Sequence, residues 1–265
     1  MRINKGEIQR TLDVIADTAM ILLESGAETY RVEDTAFRMS NSIEGVEKIE
    51  VAATYTHIIV SIRFAGIEKV TTRRTRPDST NLTKIHVTNN FSRKFVNGEY
   101  TLSQAEKTIA SIGAMKRNRT KRVIGSGIGA AFTDLLIGGS LYAAVLVFFL
   151  SAIGMRIQDG LGFRKYPSFV INFVSLMIST IMATIIVRLI AFAGIALDLD
   201  NIIVSMIMPF VPGVAIINFV RDTLSGDYIS GVCFLFSALI VALSIAMGVG
   251  SALLLTNIVG GFLWI

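Results

Sequence analysis

The chain of 265 residues is 52% hydrophobic and 17% charged, with a formal net charge of +5. Soluble domains carry about 25% charged residues. The deficit falls beyond Arg122, where only five of the 25 Lys and Arg and six of the 20 Asp and Glu lie. So long a segment with so little charge excludes an ordinary soluble protein. It predicts a water-soluble head, residues 1–119, followed by an all-α polytopic membrane domain, residues 120–265.

The predicted head is a small α+β domain with the element order α-α-β-β-β-α-α. Apolar residues recur at helical spacing, then alternate with period two, and then return to helical spacing. The predicted elements are helices at 8–23 and 32–43, strands at 49–55, 58–64 and 69–76, and helices at 82–97 and 102–115.

Two helix starts in the head have the spacing of a capping box. Thr101 and Gln104 precede the last helix of the head. Ser25 and Glu28 precede the second helix, where Thr29 is an alternative cap. Both helices are therefore expected to begin with a local side-chain cap.

Candidate chemistry in the head is sparse. His57 and His86 are the only histidines, neither has a Cys partner or the spacing of metal ligands, and Cys233 is the only cysteine. The sequence has no phosphate-binding loop motif and no visible nucleophile–base pair. We therefore expect no enzymatic activity, no metal and no cofactor.

A basic cluster directly precedes the first apolar stretch and explains much of the positive charge. Its members are Lys116, Arg117, Arg119, Lys121 and Arg122. Lys and Arg at the end of a membrane span hold a loop in the cytoplasm, so the cluster favours a topology signal over a nucleic-acid site. The first ten residues lack the apolar segment of a cleaved signal peptide. We expect the head to remain cytoplasmic and to bind no nucleic acid.

The membrane domain predicts about five transmembrane helices. Val123–Met155 is too long for one span and short for two, so we interpret it as two short spans hinged at Gly138-Gly139. Within it, Gly125 and Gly129 give a face that permits close helix packing. The remaining spans are predicted at 169–194, 201–220 and 229–255.

The charges between these spans predict the topology. Arg156, Arg164 and Lys165 place the connection between the second and third spans in the cytoplasm. Asp198 and Asp200 mark an outside connection. The next connection, cytoplasmic again, carries Arg221, Asp222 and Asp227. This arrangement predicts a cytoplasmic N-terminus and places Ile265 outside.

Three features within the apolar part have functional potential. Asp134 and Arg188 lie inside predicted spans, where an ionisable group costs several kcal/mol unless it is paired or lines a wet cavity. One interpretation is that the two residues have a function. The alternatives are that they form a structural pair with each other, or that Arg188 extends to the outer membrane interface. The third feature is the segment Met208–Gly213, whose prolines Pro209 and Pro212 interrupt a helix. Such a break lines a cavity or is a packing kink, and Asn218 could add a hydrogen bond there.

The sequence resembles the threonine/serine exporter family over nearly its whole length. In the head the likeness is carried by Ser25–Glu33, by Asn81-Leu82 and by Thr101–Glu106. In the apolar part it is carried by Ala131-Phe132, Gly138–Ser140, Val211–Asn218, Arg221-Asp222 and Ser225–Gly231. The resemblance implies a secondary exporter of threonine and serine that is driven by the membrane potential or a proton gradient.

Long members of that family carry a second membrane module, whereas this sequence stops at Ile265. The resemblance therefore implies the larger subunit of the split form, which works with a separate small membrane subunit. Split members include a bacterial pair implicated in succinate export. The expected substrate is a small polar carboxylate, threonine or serine first, with succinate as the alternative. A membrane-anchored sensor that does not transport is the rival function, and homo-oligomer formation is left open.

With this resemblance, candidate roles can be given to individual residues. Arg188 or Arg221 would meet a carboxylate, and Asp134 would couple protons or bind an amine. The candidate substrate or translocation residues are Asp134, Arg188, Pro209, Pro212, Gly213, Asn218, Arg221 and Asp222. The candidates for coupling the head to the membrane part lie in one turn and are Gly26, Glu28, Thr29, Arg31 and Glu33.

Overall fold

A computed structural model describes residue 4 and residues 6–76, 80–164 and 166–263 of the chain. Lys165 and Ile265, which entered the predicted topology, lie outside the described residues. The chain forms two compact units. The head unit comprises Met1–Arg117 and Gly213–Ser237, and the helical unit comprises Asn118–Pro212 and Ala238–Ile265.

The N-terminal part of the head unit has the predicted order of helices and strands. The elements are α1 (Ile8–Glu24), α2 (Thr29–Asn41), β1 (Val46–Ala53), β2 (His57–Phe64), β3 (Ile67–Arg74), α3 (Leu82–Val96) and α4 (Leu102–Gly113). The strands form an antiparallel sheet in the order β1-β2-β3. Val60 at the centre of β2 pairs with Val51 of β1 and with Thr71 of β3.

The core of this unit is formed by the four helices α1–α4 and the sheet. Ile58, Val60 and Ile62 alternate along β2 and are almost fully buried, as the period-two pattern predicts. Leu12 and Ile15 of α1 are fully buried in the same cluster. Burial of apolar area of this kind is the main favourable term in folding.

One of the two predicted capping boxes forms. At α4, Thr101 accepts the backbone N–H of Gln104, and the Gln104 side chain accepts the N–H of Thr101, which confirms that prediction. The box predicted at α2 is wrong. Ser25 ends α1 instead, and Glu28 takes the cap position of α2 without a side-chain cap hydrogen bond.

In the part of the chain that the structure describes, seven further helical elements follow α4. They are α5 (Arg119–Leu136), α6 (Leu141–Phe163), α7 (Ser168–Phe192), α8 (Leu199–Ile207), a 3₁₀ turn (Met208–Phe210), α9 (Gly213–Leu224) and α10 (Tyr228–Leu263). Among the described residues, α6, α7 and α10 are long and apolar enough to cross a membrane. The interrupted pair Leu199–Phe210 and Gly213–Leu224 makes four if it counts as one span. Five spans therefore remain a prediction, because the 18 residues of α5 include four charged ones.

The helix ends correct two predicted connections. Arg156 lies inside α6, which continues to Phe163, rather than in the loop after it. Arg221 and Asp222 lie in the last turn of α9, which ends at Leu224. Apolar residues alone do not mark the end of a helix, because the last turn can be polar when water or side chains satisfy its backbone groups.

The interruptions predicted at glycine and proline do occur. Between α5 and α6 the chain turns at Gly138, whose φ of +91° lies in the left-handed region that favours glycine. In the Met208–Gly213 segment the helix is replaced by a 3₁₀ turn containing Pro209, and Pro212 directly precedes α9. Each proline removes a backbone donor, which prevents one continuous helix.

Close packing of α10 on α7 generates a stability prediction. A Cβ added at Gly248 would lie 2.7 Å from the backbone oxygen of Phe173, whereas nothing lies within 4 Å of a Cβ added at Gly250. Gly248→Ala should therefore force the two helices apart at a cost of about 1–3 kcal/mol and lower the apparent melting temperature by at least about 3 °C. Gly250→Ala, the matched control, should leave it unchanged or slightly raised, since alanine favours a helix. Thermal unfolding in detergent measures both, and equal effects would contradict the packing.

Candidate functional site

Within the head unit, one face of α9 contacts the turn between α1 and α2. We call this contact the α2–α9 junction. Asn218, Arg221 and Asp222 lie on one face of α9, because residues three and four apart are neighbours on a helix. Sequence reasoning placed these residues in a substrate site and placed the α1–α2 turn in a separate coupling group. The structure joins the two groups.

The central contact of the junction is between Asp222 and Thr29. Asp222 is fully buried, and its carboxylate accepts the Thr29 hydroxyl at 2.7 Å and the Thr29 backbone N–H at 3.3 Å. Thr29 is the first residue of α2, so its N–H is one of the donors that a helix leaves unpaired. A negative charge is also favoured at this positive end of the helix dipole. Asp222 thus performs the capping that the local sequence was expected to supply.

A second contact is an ion pair between Arg221 of α9 and Glu28. The Glu28 side chain is 10% exposed, and its other oxygen lies 3.6 Å from the guanidinium of Arg31. Burying a carboxylate is costly unless it is paired. Two guanidinium groups therefore balance the charge of Glu28 next to the start of α2.

The third contact involves the turn itself. The Asn218 side-chain amide donates to the backbone oxygen of Gly26 at 3.2 Å. Gly26 has a φ of +91°, and a Cβ there would lie 3.2 Å from the Thr80 hydroxyl oxygen. The glycine therefore permits both the conformation of the turn and its close approach to Thr80.

The first turns of α10 add contacts that sequence reasoning missed. The backbone N–H of Tyr55, in the β1–β2 turn, donates to the Ser230 hydroxyl at 3.2 Å. The Tyr55 ring packs edge-to-face on Phe234, with 4.9 Å between ring centroids. Edge-to-face packing of this kind adds about 0.5–1.5 kcal/mol beyond the buried area. No local pattern relates a strand end to residues this far along the chain, so the sequence carries no signal for the pair.

Glu33 extends the junction toward the sheet. Its carboxylate accepts the backbone N–H of Ala53 at 2.7 Å. Burial raises the pKa of Glu33 above its ordinary value, and the nearby charges of Asp227 and Asp222 add to the rise, whereas the hydrogen bond from Ala53 opposes it. The candidate coupling residues Gly26, Glu28, Thr29, Arg31 and Glu33 thus all lie at or beside the α2–α9 junction.

The helical unit holds a second candidate site at Asp134. Its side chain is fully buried, and one carboxylate oxygen accepts the Ser205 hydroxyl of α8 at 3.4 Å. The other oxygen has no hydrogen-bond partner among the described residues. A Cβ added at Gly139 would overlap this carboxyl group, so glycine leaves the space that the group occupies.

Arg188 lies elsewhere in the same unit. Its guanidinium donates to the backbone oxygen of Thr256 and to the Asn257 side chain, both at 3.0 Å. Arg188 and Asp134 therefore have different hydrogen-bond partners, so of the alternatives open from the sequence the pairing of these two residues is not observed. Pro209 and Pro212 flank the interruption described above.

Residues 13–256 match the model of the ThrE family, whose description is "Putative threonine/serine exporter". The chain belongs to the threonine/serine exporter family. Its transport and exporter character follow from this membership.

Two relatives of this exporter-family chain bear the same printed name, "Probable succinate transporter subunit YjjP". The protein from Klebsiella aerogenes is 25% identical over 98% of this chain and 99% of its own length. The protein from Escherichia coli strain K12 is 24% identical over 91% of this chain and 93% of its own length. No solved structure matches the chain significantly. The likeness to YjjP proteins covers both the head and the apolar part.

Removing the Thr29 hydroxyl should loosen the start of α2. Thr29→Val keeps the shape of the side chain but deletes the donor to Asp222, and a hydrogen bond to a charged group contributes about 1.5–3 kcal/mol. We expect amide hydrogen exchange in the first turn of α2 to accelerate about tenfold or more. Thr29→Ser keeps the donor and should exchange as the wild type does. Equal exchange in both variants would show that the Asp222 contact does not hold this helix end.

The raised pKa of Glu33 predicts how stability depends on pH. Since the folded-state value lies above the unfolded one, the unfolded chain loses its proton first, and stability from Glu33 is lost as pH rises through the folded pKa. Glu33→Gln removes this loss. The difference between the melting temperatures of the variant and the wild type should therefore grow in favour of the variant as the pH rises from about 4 to about 7. Asp34→Asn, which changes the neighbouring surface carboxylate, is the control; a constant difference for Glu33→Gln would contradict the prediction.

Proposed function

We propose that this chain is one subunit of a secondary-active exporter that moves small polar carboxylates out of the cytoplasm. The observation that carries the proposal is the family match, which runs from residue 13 in α1 to residue 256 in α10. It includes the head, the interrupted helix and the junction residues alike. Three or four apolar helices among the described residues fit a multi-pass membrane protein.

The substrate is a small carboxylate, for which two observations favour different compounds. The family is described as exporting threonine and serine, whereas the relatives that cover most of the chain are named for succinate. All three compounds carry a carboxylate and further polar groups. We place threonine and serine first and succinate second.

The proposal also covers the location of the chain in the cell and its assembly with a partner. The basic cluster from Lys116 to Arg122 supports an inner-membrane protein with its head in the cytoplasm. The relatives are named as subunits, which supports a separate small membrane protein as the partner. The chain binds the bilayer and this partner, and it needs no enzymatic step.

The α2–α9 junction is the means by which the head takes part in transport. Residues Asn218, Arg221 and Asp222 follow the proline interruption by only one to three turns and are held by the head. If α9 moves in the transport cycle, either these contacts break or the head moves together with α9. In the contacts described, Arg221 is engaged by Glu28, so a substrate carboxylate would reach this guanidinium by displacing Glu28.

Export is tested in cells that accumulate either a threonine-containing dipeptide or succinate. Each assay uses the chain alone and the chain with its small partner subunit. Faster threonine efflux only with both proteins supports the proposal, and succinate efflux keeps the mechanism with the other substrate. Efflux of neither, with both proteins in the membrane, would overturn the transport function and favour a membrane-anchored sensor.

The junction predicts a specific loss of export. Arg221→Gln leaves Arg31 as the remaining ionic partner of the largely buried Glu28 carboxylate, and losing a hydrogen bond to a charged group costs about 1.5–3 kcal/mol. We expect export to fall about tenfold or more while the protein stays in the membrane. Arg38→Gln is the matched control, because Arg38 is 72% exposed and pairs with Asp34 on the head surface. If the two variants export equally, the junction has no role in transport.

A further inference from the structure

We infer that Asp134 is a proton-binding site of the helical unit, which holds a proton at neutral pH and exchanges it during export. The geometry of the carboxyl group carries this inference. Only the exchange during export rests on the proposed function. The group belongs to α5, near its C-terminal end, and contacts α8 through Ser205.

The carboxyl group has too few donors to remain ionised. A carboxylate offers about four acceptor positions, whereas the described residues supply one hydroxyl donor at 3.4 Å and none to the second oxygen. A buried charge without partners costs far more than a buried neutral acid, so the group takes up a proton instead. The protonated acid also gains a donor of its own.

The surroundings offer little polarity to compensate a charge. Ala130, one turn earlier on α5, belongs to an apolar cluster with Ile202 and Met206, which flank Ser205 on α8. Ala143 from the first turn of α6 belongs to the same cluster. The carboxyl group therefore lies at the border of an apolar layer in which charge is poorly stabilised.

The charges on the packed elements do not favour ionisation either. Helix α8 contributes Asp198 and Asp200 near its start, and both are acidic. Between Leu141 and Met155, α6 carries no charged residue, and neither does the 3₁₀ turn. On α5 itself, the basic residues lie three turns or more away, where Arg122 pairs with Asp159 of α6. Arg188 of α7 is hydrogen-bonded to α10.

The same geometry favours a proton over a metal ion. Oxygen-bound metal ions such as Ca²⁺ take about six to eight ligands. Among the described residues, Ser205 is the one hydrogen-bond partner of the Asp134 carboxyl group, and no group of three or more His, Cys, Asp or Glu residues could hold a metal ion. A proton needs only one carboxyl oxygen, with the O–H bond formed on uptake and broken on release to water. No electrons are transferred in either step.

Proton exchange at this position would act directly on the interrupted helix. Ser205 lies four residues before Pro209, in the helix that ends at the interruption. Loss of the proton creates a charge beside Ser205 that the apolar layer cannot stabilise. The contact between α5 and α8 must then open toward water, which links protonation to the helix that leads into the substrate candidates.

Infrared difference spectroscopy of the purified chain tests proton binding without any need for transport. At pH 7 the wild type should show the carbonyl band of a protonated carboxylic acid, and Asp134→Asn should lose it. Asp134→Glu should retain a shifted band, which guards against a loss caused by misfolding. Asp200→Asn changes an exposed carboxylate of α8 and should keep the wild-type band. Identical spectra for the wild type and Asp134→Asn would overturn the inference.

An efflux assay then tests the exchange of the proton. With both subunits present, export by the wild type should vary at least tenfold across an imposed pH gradient, whereas Asp134→Asn should lose this dependence. An unchanged pH profile in Asp134→Asn would overturn a role in coupling. If the wild type exports nothing, the proposed function fails, while the infrared result still decides whether Asp134 binds a proton.

Discussion

The head unit depends on a carboxylate that the sequence supplies 193 residues away from the helix it caps. Asp222 binds the hydroxyl and the backbone N–H of Thr29, and so satisfies a donor that α2 could not satisfy by itself. Because Asp222 is fully buried, the cost of removing it from water is repaid only while both hydrogen bonds and the dipole of α2 remain in place. The ion pair of Arg221 and the amide of Asn218 hold α9 at the same turn. The start of α2 and the face of α9 are consequently stable only together.

The two fully buried aspartates Asp134 and Asp222 differ in their hydrogen-bond partners. Asp222 receives two donors from one residue at a helix N-terminus, and these hydrogen bonds partly offset the cost of burying its charge. Asp134 receives one long hydrogen bond from a hydroxyl and borders an apolar layer, which favours its neutral form. Burial alone therefore does not assign a role to either group. The number of donors distinguishes Asp222, which caps α2, from Asp134, whose second oxygen has no hydrogen-bond partner among the described residues.

The sequence predicted features whose determinants are local. Hydrophobic periodicity located the strands and helices of the head, and Thr101 and Gln104 lie within one turn, so their capping box could be recognised. The cap of α2 could not be predicted in the same way, because its acceptor comes from α9 and no spacing rule connects the two. The sequence identified both groups of candidate residues, the substrate candidates on α9 and the coupling candidates in the α1–α2 turn. Their meeting at one junction depends on tertiary packing, as does the partnering of Tyr55 with Ser230 and Phe234.

The head unit is built from two separate segments of the chain, which determines what a truncation of its N-terminal segment would do. Since Gly213–Ser237 belongs to the same compact unit as the N-terminal residues, removing everything before about Lys116 would leave Asn218, Arg221 and Asp222 without their partners. A buried carboxylate that loses its donors costs several kcal/mol, and α9 would have to rearrange. Loss of export after such a truncation would therefore not distinguish a transport role of the head from misfolding of α9. Single substitutions that alter one junction contact, with the unit otherwise intact, separate these two causes.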